Sequence, residues 1–411
     1  MIDLKKVMAE AETMLKTWTP TRIHFGEGTS LQVGDAVKRY GERVLLVLGR
    51  GSIKKSRMLD RVSQSLEKNS LHYKVVEGVE PNPGKQTVYR LTYHLLAGNF
   101  NLLLAIGGGS VIDAAKAAGI LGTVKEGEID HYFGVGMVSQ KVKKIMTLIA
   151  VPTTSGTGSE LTKFSVITNT PLHVKKLISD PAIVPSEAII DPELTYSCGT
   201  HVSKVTGLDT MTHLMEGYFN NVDEGIDPEA NHRALTGLAL VFEGLPRVLR
   251  DGQDREARRM MSLASTLGGT VLYYKQAGLP HLNSFSWSSV MDHGEAVAVM
   301  LPYYSAYYAP FIQEKIKCVA ELMGIPDSKD MTRAFVEGLF EFYRRIDFPL
   351  TLKGFKGFSE DLITKAIQEA SQNRMKLEAS PRPVPPEKSE KVLQTVIEGA
   401  YWGNIEKILD L

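Results

Sequence analysis

Apolar positions change rhythm along this chain. From about Arg22 to Ile190, short β-rich runs alternate with segments of helical spacing, and RVLLVL (43–48), LHYKVV (71–76), LLLAI (102–106) and IMTLIAV (145–151) are the strand candidates. Strands alternating with helices predict a layered α/β unit around a largely parallel sheet. FSVITN (164–169) and HVKKLIS (173–179), separated by Thr170, Pro171 and Leu172, read as a hairpin added to that sheet. Beyond Asp191-Pro192 the strand signals fade, and residues 227–249, 254–274 and 331–344 carry helical spacing. On this pattern residues 1–196 form an α/β domain and residues 197–411 an all-helical one. The opening MIDLKKVMAEAETMLKTW reads as an amphipathic helix, and SPRPVPP (380–386) as a structural turn ahead of a last helix beginning near Glu387.

Two strand candidates run straight into glycine-rich turns. In LLLAIGGGSVIDAAKA (102–117) a buried strand meets Gly107, Gly108, Gly109 and Ser110 and then a helix. Glycines let backbone N–H groups approach an anion closely, and the helix start adds partial positive charge, so a phosphate or pyrophosphate suits this turn. A tight strand-to-helix turn without a ligand is the plainer alternative. VPTTSGTGSE (151–160), with Thr153, Thr154 and Thr157, offers hydroxyls and amides where a sheet's ligands gather, and is otherwise a polar surface loop. G-x-G-x-x-G is absent. LGRGSIKKS (48–56) closes the first long strand with Gly49, Arg50 and Gly51, where an NAD-selective protein would carry an acid. Arg50, Lys54 and Lys55 would instead attract a 2′-phosphate, which favours NADP(H) over NAD(H).

GLDTMTHLMEGY (207–218) puts Asp209 and His213 four residues apart, on one face of a helix. Alone, the pair is as well explained as surface decoration. His281 and His293 lie in GLPHLNSFSWSSVMDHGEAVAV (278–299), and alone they suit a core histidine and a helix cap. Together the four would make a mixed N and O site suited to Fe(II) or Zn(II). Phe285, Trp287, Tyr273 and Tyr274 are either an apolar lining or plain core.

Composition narrows the partner. The 411 residues carry 47 basic and 47 acidic side chains, so there is no charge footprint for nucleic acid or an anionic membrane. Two cysteines, Cys198 and Cys318, are too few for a disulfide framework and fit a reducing cytoplasm. No apolar run approaches the roughly 18 residues that span a bilayer. A homodimer is the default assembly.

Across most of its length the chain resembles the iron-containing, metal-dependent alcohol dehydrogenases. The resemblance runs through TRIHFGEGT (21–29), EPNPGK (80–85), AIGGGSVIDAAK, PTTSGTGSE, HVKKLISDP (173–181), IIDPELT (189–195), GLDTMTHLMEGY and DHGEAVAVMLP (292–302). It implies an N-terminal dinucleotide-binding domain, a helical metal-binding domain and a substrate cleft between them, the fold shared with dehydroquinate synthase. It assigns the metal to Asp209, His213, His281 and His293. It places Gly49, Arg50, Gly51, Ser52, Asn82, Gly107, Gly108, Gly109, Ser110, Asp113, Thr153, Thr154, Thr157 and Lys176 around the cofactor. His281 and His293 are twelve residues apart, closer than is usual in the family, and Phe285 stands where many relatives carry a further histidine. The expected activity is hydride transfer between NADP(H), or NAD(H), and a small alcohol or aldehyde, with a dehydroquinate-synthase-like lyase and a non-catalytic metal or nucleotide binder as rivals.

Overall fold

The computed structural model describes residues 3–51, 58–169, 174–221 and 226–411. Its strands are β1 (Arg22–Phe25), β2 (Arg43–Gly49), β3 (His72–Val79), β4 (Leu102–Gly107), β5 (Gly134–Val135), β6 (Thr147–Pro152), β7 (Phe164–Asn169), β8 (Val174–Ser179) and β9 (Glu187–Ile190). Six of them form one sheet in the order β1-β9-β6-β4-β2-β3, paired in parallel throughout.

Strand alternation explains why the central runs are apolar at nearly every position. Leu45, Val47, Leu103 and Ala105 face helices Lys85–Ala97 and Gly109–Val124, packing with Val88, Leu91 and Ala114. Val44, Leu46, Leu102 and Leu104 face helices Val33–Lys38 and Met58–Lys68, packing with Val37, Val62 and Leu66. A sheet covered on both faces needs this two-sided burial.

The chain passes from β2 outward to β3, then returns across β2 to β4. The loops leaving β2 and β4 therefore part in opposite directions, with Leu48 and Ile106 in register at their ends. Ligands of open α/β sheets bind in such a crevice.

Hairpin β7–β8 is antiparallel, as expected, although the Thr170–Leu172 turn and His173 fall outside the described residues. It does not extend the main sheet. β8 lies between β5 and β7 in a separate three-stranded sheet. Ile167 and Ile178 bury in the core shared with helix Gly109–Val124, so the hairpin lies over that helix layer.

Beyond the sheet, helices Thr200–Phe219, Ala230–Arg250, Arg255–Tyr274, His293–Tyr308, Met331–Arg345 and Ser389–Trp402 share one core that includes Leu214, Leu238, Leu263, Met300, Leu339 and Leu393. Helix Leu4–Thr17 starts on Asp3, whose side chain accepts from the Lys6 amide, and places Ala11 and Leu15 in this same core. Burying Leu15, 2% exposed, is worth about 1.5–3 kcal/mol. The segment precedes the sheet in sequence, yet it packs with the helical half. None of the described helices is long and apolar enough to cross a membrane.

Candidate active site

Asp209 and His213 occupy the long helix Thr200–Phe219, in which every residue from Gly207 to Phe219 is buried. That burial removes the surface-decoration reading: an acid and a histidine inside a helix bundle need polar partners. His281 lies in the short helix Leu279–Ser284, and His293 opens helix His293–Tyr308 directly after its N-cap, Asp292, which forms a capping box with Glu295. Gly294 makes this delivery possible. A Cβ there would lie 2.0 Å from the Val205 carbonyl oxygen, so only glycine lets the two helices meet at His293.

The twelve-residue spacing from His281 to His293 closes on the site. Ligand atoms of Asp209, His213, His281 and His293 all lie within 4.8 Å of one another. Asp209 Oδ1 is 3.5 Å from His213 Nε2, 3.6 Å from His281 Nε2 and 3.7 Å from His293 Nε2. Asp209 Oδ1 and His281 Nε2 are buried and have no hydrogen-bond partner. A buried carboxylate oxygen and a buried ring nitrogen that face each other without a hydrogen bond call for positive charge between them, a ring proton or a bound cation. The residues fit a divalent ion of the Fe(II) or Zn(II) kind.

Outer contacts orient the rings. His281 Nδ1 hydrogen-bonds Glu216 Oε2, and the His281 amide donates to Glu216 Oε1 at 3.4 Å. Ser284 Oγ donates to the His281 carbonyl at 2.8 Å and is left to accept from His293 Nδ1 at 3.1 Å, which frees Nε2 toward Asp209. The rings of His213 and His281 stack 4.6 Å apart. Electrostatics follow from this crowding. Burial alone would raise Asp209, but His213, His281 and His293 hold its carboxyl well below the usual range. Burial lowers His213 against the pull of Asp209. Burial would lower His281 too, yet Glu216 and Asp209 lift it to about 9. Burial pushes His293 down, and His281, Lys175 and His213 add to that.

The glycine turns sit beside this cluster. Thr210 Oγ1, next along the helix from Asp209, donates to the carbonyls of Ser155 and Gly156 at 3.3 and 3.2 Å, tying loop 151–160 to the ligand helix. Gly107 pairs with Pro152 and accepts from the Thr153 amide at 3.0 Å. A Cβ on Gly109 would sit 2.6 Å from Thr157 Oγ1, and one on Gly108 would sit 3.3 Å from Thr154 Oγ1. The loops after β4 and β6 thus form one surface. Ser110 Oγ accepts from the Asn82 amide at 3.2 Å, bringing Asn82 to the same turn. Gly49 ends β2 alongside, with Arg50 and Gly51 directly after it, whereas Ser52, Lys54 and Lys55 lie outside the described residues.

Two expected cofactor residues are placed differently. Asp113 accepts from Ser159 Oγ at 2.6 Å on one carboxyl oxygen and from the Val166 amide at 3.0 Å on the other, so it braces the end of loop 151–160 and the strand that follows. Lys116 completes that brace, donating to the Thr162 and Phe164 carbonyls at 2.8 and 2.7 Å. Lys176 is exposed on β8, and its neighbour Lys175 points the other way, where it feels the charges of Asp209 and Asp292. Period-two alternation assigns the inward position to Lys175. Trp287 belongs to the core, with Nε1 donating to the Leu362 carbonyl at 3.2 Å, and Tyr273 packs edge-on against Trp18. Phe285 remains by the site, its ring 6.5 Å from that of His293. Glu216 escaped notice in the sequence although it follows Asp209 by seven residues, which returns it to the same helical face.

Comparison with known proteins agrees. The profile described as iron-containing alcohol dehydrogenase matches residues 20–192, and that described as Fe-containing alcohol dehydrogenase family, C-terminal, matches residues 203–397. The NADH-dependent butanol dehydrogenase B of Clostridium acetobutylicum is 32% identical over 70% of this chain and 74% of its own. The NADPH-dependent butanol dehydrogenase of Clostridium saccharobutylicum is 28% identical over 94% and 99%. A crystal structure of 1,3-propanediol oxidoreductase superposes with a TM-score of 0.85 at 26% identity, covering 93% of this chain and 98% of that one. With a convergent Asp-His-His-His cluster, buried except for the half-buried His293, beside strand-end glycine turns, and with matches spanning both halves, the chain belongs to the iron-containing alcohol dehydrogenase family.

Proposed function

We propose that the chain reduces a small aldehyde with NADPH, and oxidises the matching alcohol in reverse, using one ion held by Asp209, His213, His281 and His293, iron in preference to zinc. The convergence of those four groups within 4.8 Å carries the reading. When bound, the cation supplies Lewis-acid polarisation at the substrate oxygen and the nicotinamide supplies or accepts hydride.

The chain's own residues bind and orient. Backbone amides of Gly107, Gly108, Gly109 and Ser110, at the start of helix Gly109–Val124, hold the pyrophosphate, with Asn82, Thr153, Thr154 and Thr157 along the same edge. Gly49 carries no acid to repel a 2′-phosphate, and the exposed Arg50 beside it, close enough to act on Glu80, can attract one; the 2′-phosphate is what makes NADP(H) the preferred dinucleotide. Lys175 takes the inward place on β8 that Lys176 was expected to hold. Phe285 gives the cleft an apolar wall that excludes water, and no proton relay is assigned there. We also place the protein in the cytoplasm, as a homodimer.

A dehydroquinate-synthase-like lyase would need several Lys and Arg around the ligand histidines for a phosphorylated sugar acid, yet residues 282–292, LNSFSWSSVMD, contain neither, and it is Lys175 of β8 whose charge reaches His293. Metal analysis with NADPH and NADH consumption on a panel of short aldehydes tests the proposal. The expected result is about one iron per chain and faster turnover with NADPH; full turnover by metal-stripped protein or by His213→Ala would overturn it.

A further inference from the structure

We propose that Glu216 is a positioning residue for the cation site, fixing His281 in the tautomer that carries its proton on Nδ1. The inference rests on the cation reading above.

Glu216 is not one of the four convergent groups. It stands behind His281, on the side of the ring away from Asp209. Its side chain is 1% exposed, and a carboxylate accepts hydrogen bonds without donating them, so the contact to Nδ1 requires the ring proton there. Once a cation replaces the second ring proton, Nε2 offers it the remaining lone pair, and Nε2 is the buried, unpartnered atom that faces Asp209 Oδ1 at 3.6 Å.

The carboxylate is itself held. A Cβ on Gly278 would lie 3.3 Å from Glu216 Oε1 and 3.3 Å from the Tyr308 hydroxyl, so backbone and ring close around it. Lys376, whose Nζ donates to the Ala277 carbonyl at 2.9 Å, lies near enough to feel the Glu216 charge. Helix geometry supplies the register: positions 209, 213 and 216 fall on one face, so Thr200–Phe219 carries two ligands and the group that aims a third. Carboxylate partners of ligand histidines raise ring basicity and fix orientation, and losing one typically costs 10–100-fold in metal affinity.

The test uses the full chain as wild type, Glu216→Gln, Glu216→Leu and His213→Ala. Zn(II) affinity is measured by competition with a chromophoric chelator, and Co(II)-loaded samples are examined by proton NMR for the shifted, exchangeable ring N–H signals of the ligand histidines. Glu216→Gln keeps an acceptor without the charge and should bind Zn(II) about 10-fold more weakly; Glu216→Leu should lose about 100-fold and the His281 N–H signal. A merely structural role would lower thermal stability and leave the affinity and Co(II) spectrum of the folded protein as in wild type. That pattern in either variant overturns the inference while the cation site stands. Should Glu216→Leu not fold, Glu216→Gln decides alone. Wild type binding no more Zn(II) than His213→Ala would instead overturn the cation site, and this inference with it.

Discussion

Replacing Gly294 by alanine tests how the site is assembled from its backbone. The new Cβ would lie 2.0 Å from the Val205 carbonyl oxygen and 2.9 Å from its carbon. Carbon and oxygen of neighbouring helices approach to about 3.3 Å, so the helices must part by on the order of 1 Å. Overpacking of this kind costs about 1–3 kcal/mol. The displacement matters more than the cost, because His293 is the adjacent residue and functional constellations tolerate only about 0.5 Å. Gly294→Ala should therefore fold, with a midpoint a few degrees lower, and bind Zn(II) at least about 10-fold more weakly, a loss of roughly 1.4 kcal/mol. Chelator competition and NADPH oxidation measure this. Gly199→Ala is the matched control: Gly199 caps helix Thr200–Phe219, and a Cβ there meets nothing within 4 Å. Wild-type metal affinity and turnover in Gly294→Ala would refute the reasoning.

Three further outcomes follow from other contacts. Gly49→Asp should shift preference from NADPH toward NADH by at least about 10-fold in the ratio of kcat/KM values, because an acid repels the 2′-phosphate; its Cβ would meet Val111 Cγ2 at 3.4 Å and the Val79 carbonyl oxygen at 3.8 Å, ordinary contacts. Lys116→Met should destabilise the fold by about 3 kcal/mol in urea titrations, since Lys116 is fully buried and its loss strands the Thr162 and Phe164 carbonyls. Burial pushes the Glu160 carboxyl from its ordinary 4.5 up to about 7, against its own amide and Lys116. The folded chain keeps that proton through a window in which the unfolded chain has released it. Stability should therefore fall as pH rises from about 4.5 to about 7, by on the order of 1 kcal/mol per unit. Glu160→Gln should flatten that slope, and an unchanged slope would assign it to other groups.

What the sequence disclosed, and what it hid, follows from how far each signal reaches along the chain. β2, β4 and β6 announce themselves because strands covered on both faces are apolar at almost every position. β1 and β9 span four residues each, and β9 carries Glu187, a charge that argues against a buried strand. Only folding brings Arg39, His24 and Tyr40 to that carboxylate, at 2.6, 3.1 and 3.0 Å. Asp209 and His213 are legible because a helix turns a four-residue spacing into a shared face. His281 and His293 can be offered as candidates but are assigned by resemblance, since nothing local says that a six-residue helix and a capping turn will meet the same oxygen. Lys175 and Lys176 show the opposite difficulty: adjacent strand residues of the same type point to opposite faces, and the register that selects one is set by β7 and β5.

The most direct measurement is anomalous X-ray scattering, at the iron or zinc edge, from crystals of the metal-loaded protein. One strong site should appear, bonded at about 2.0–2.2 Å by Asp209 Oδ1 and by Nε2 of His213, His281 and His293. A loaded crystal with no scatterer among those four atoms, or with His281 turned away from Asp209, would contradict the account.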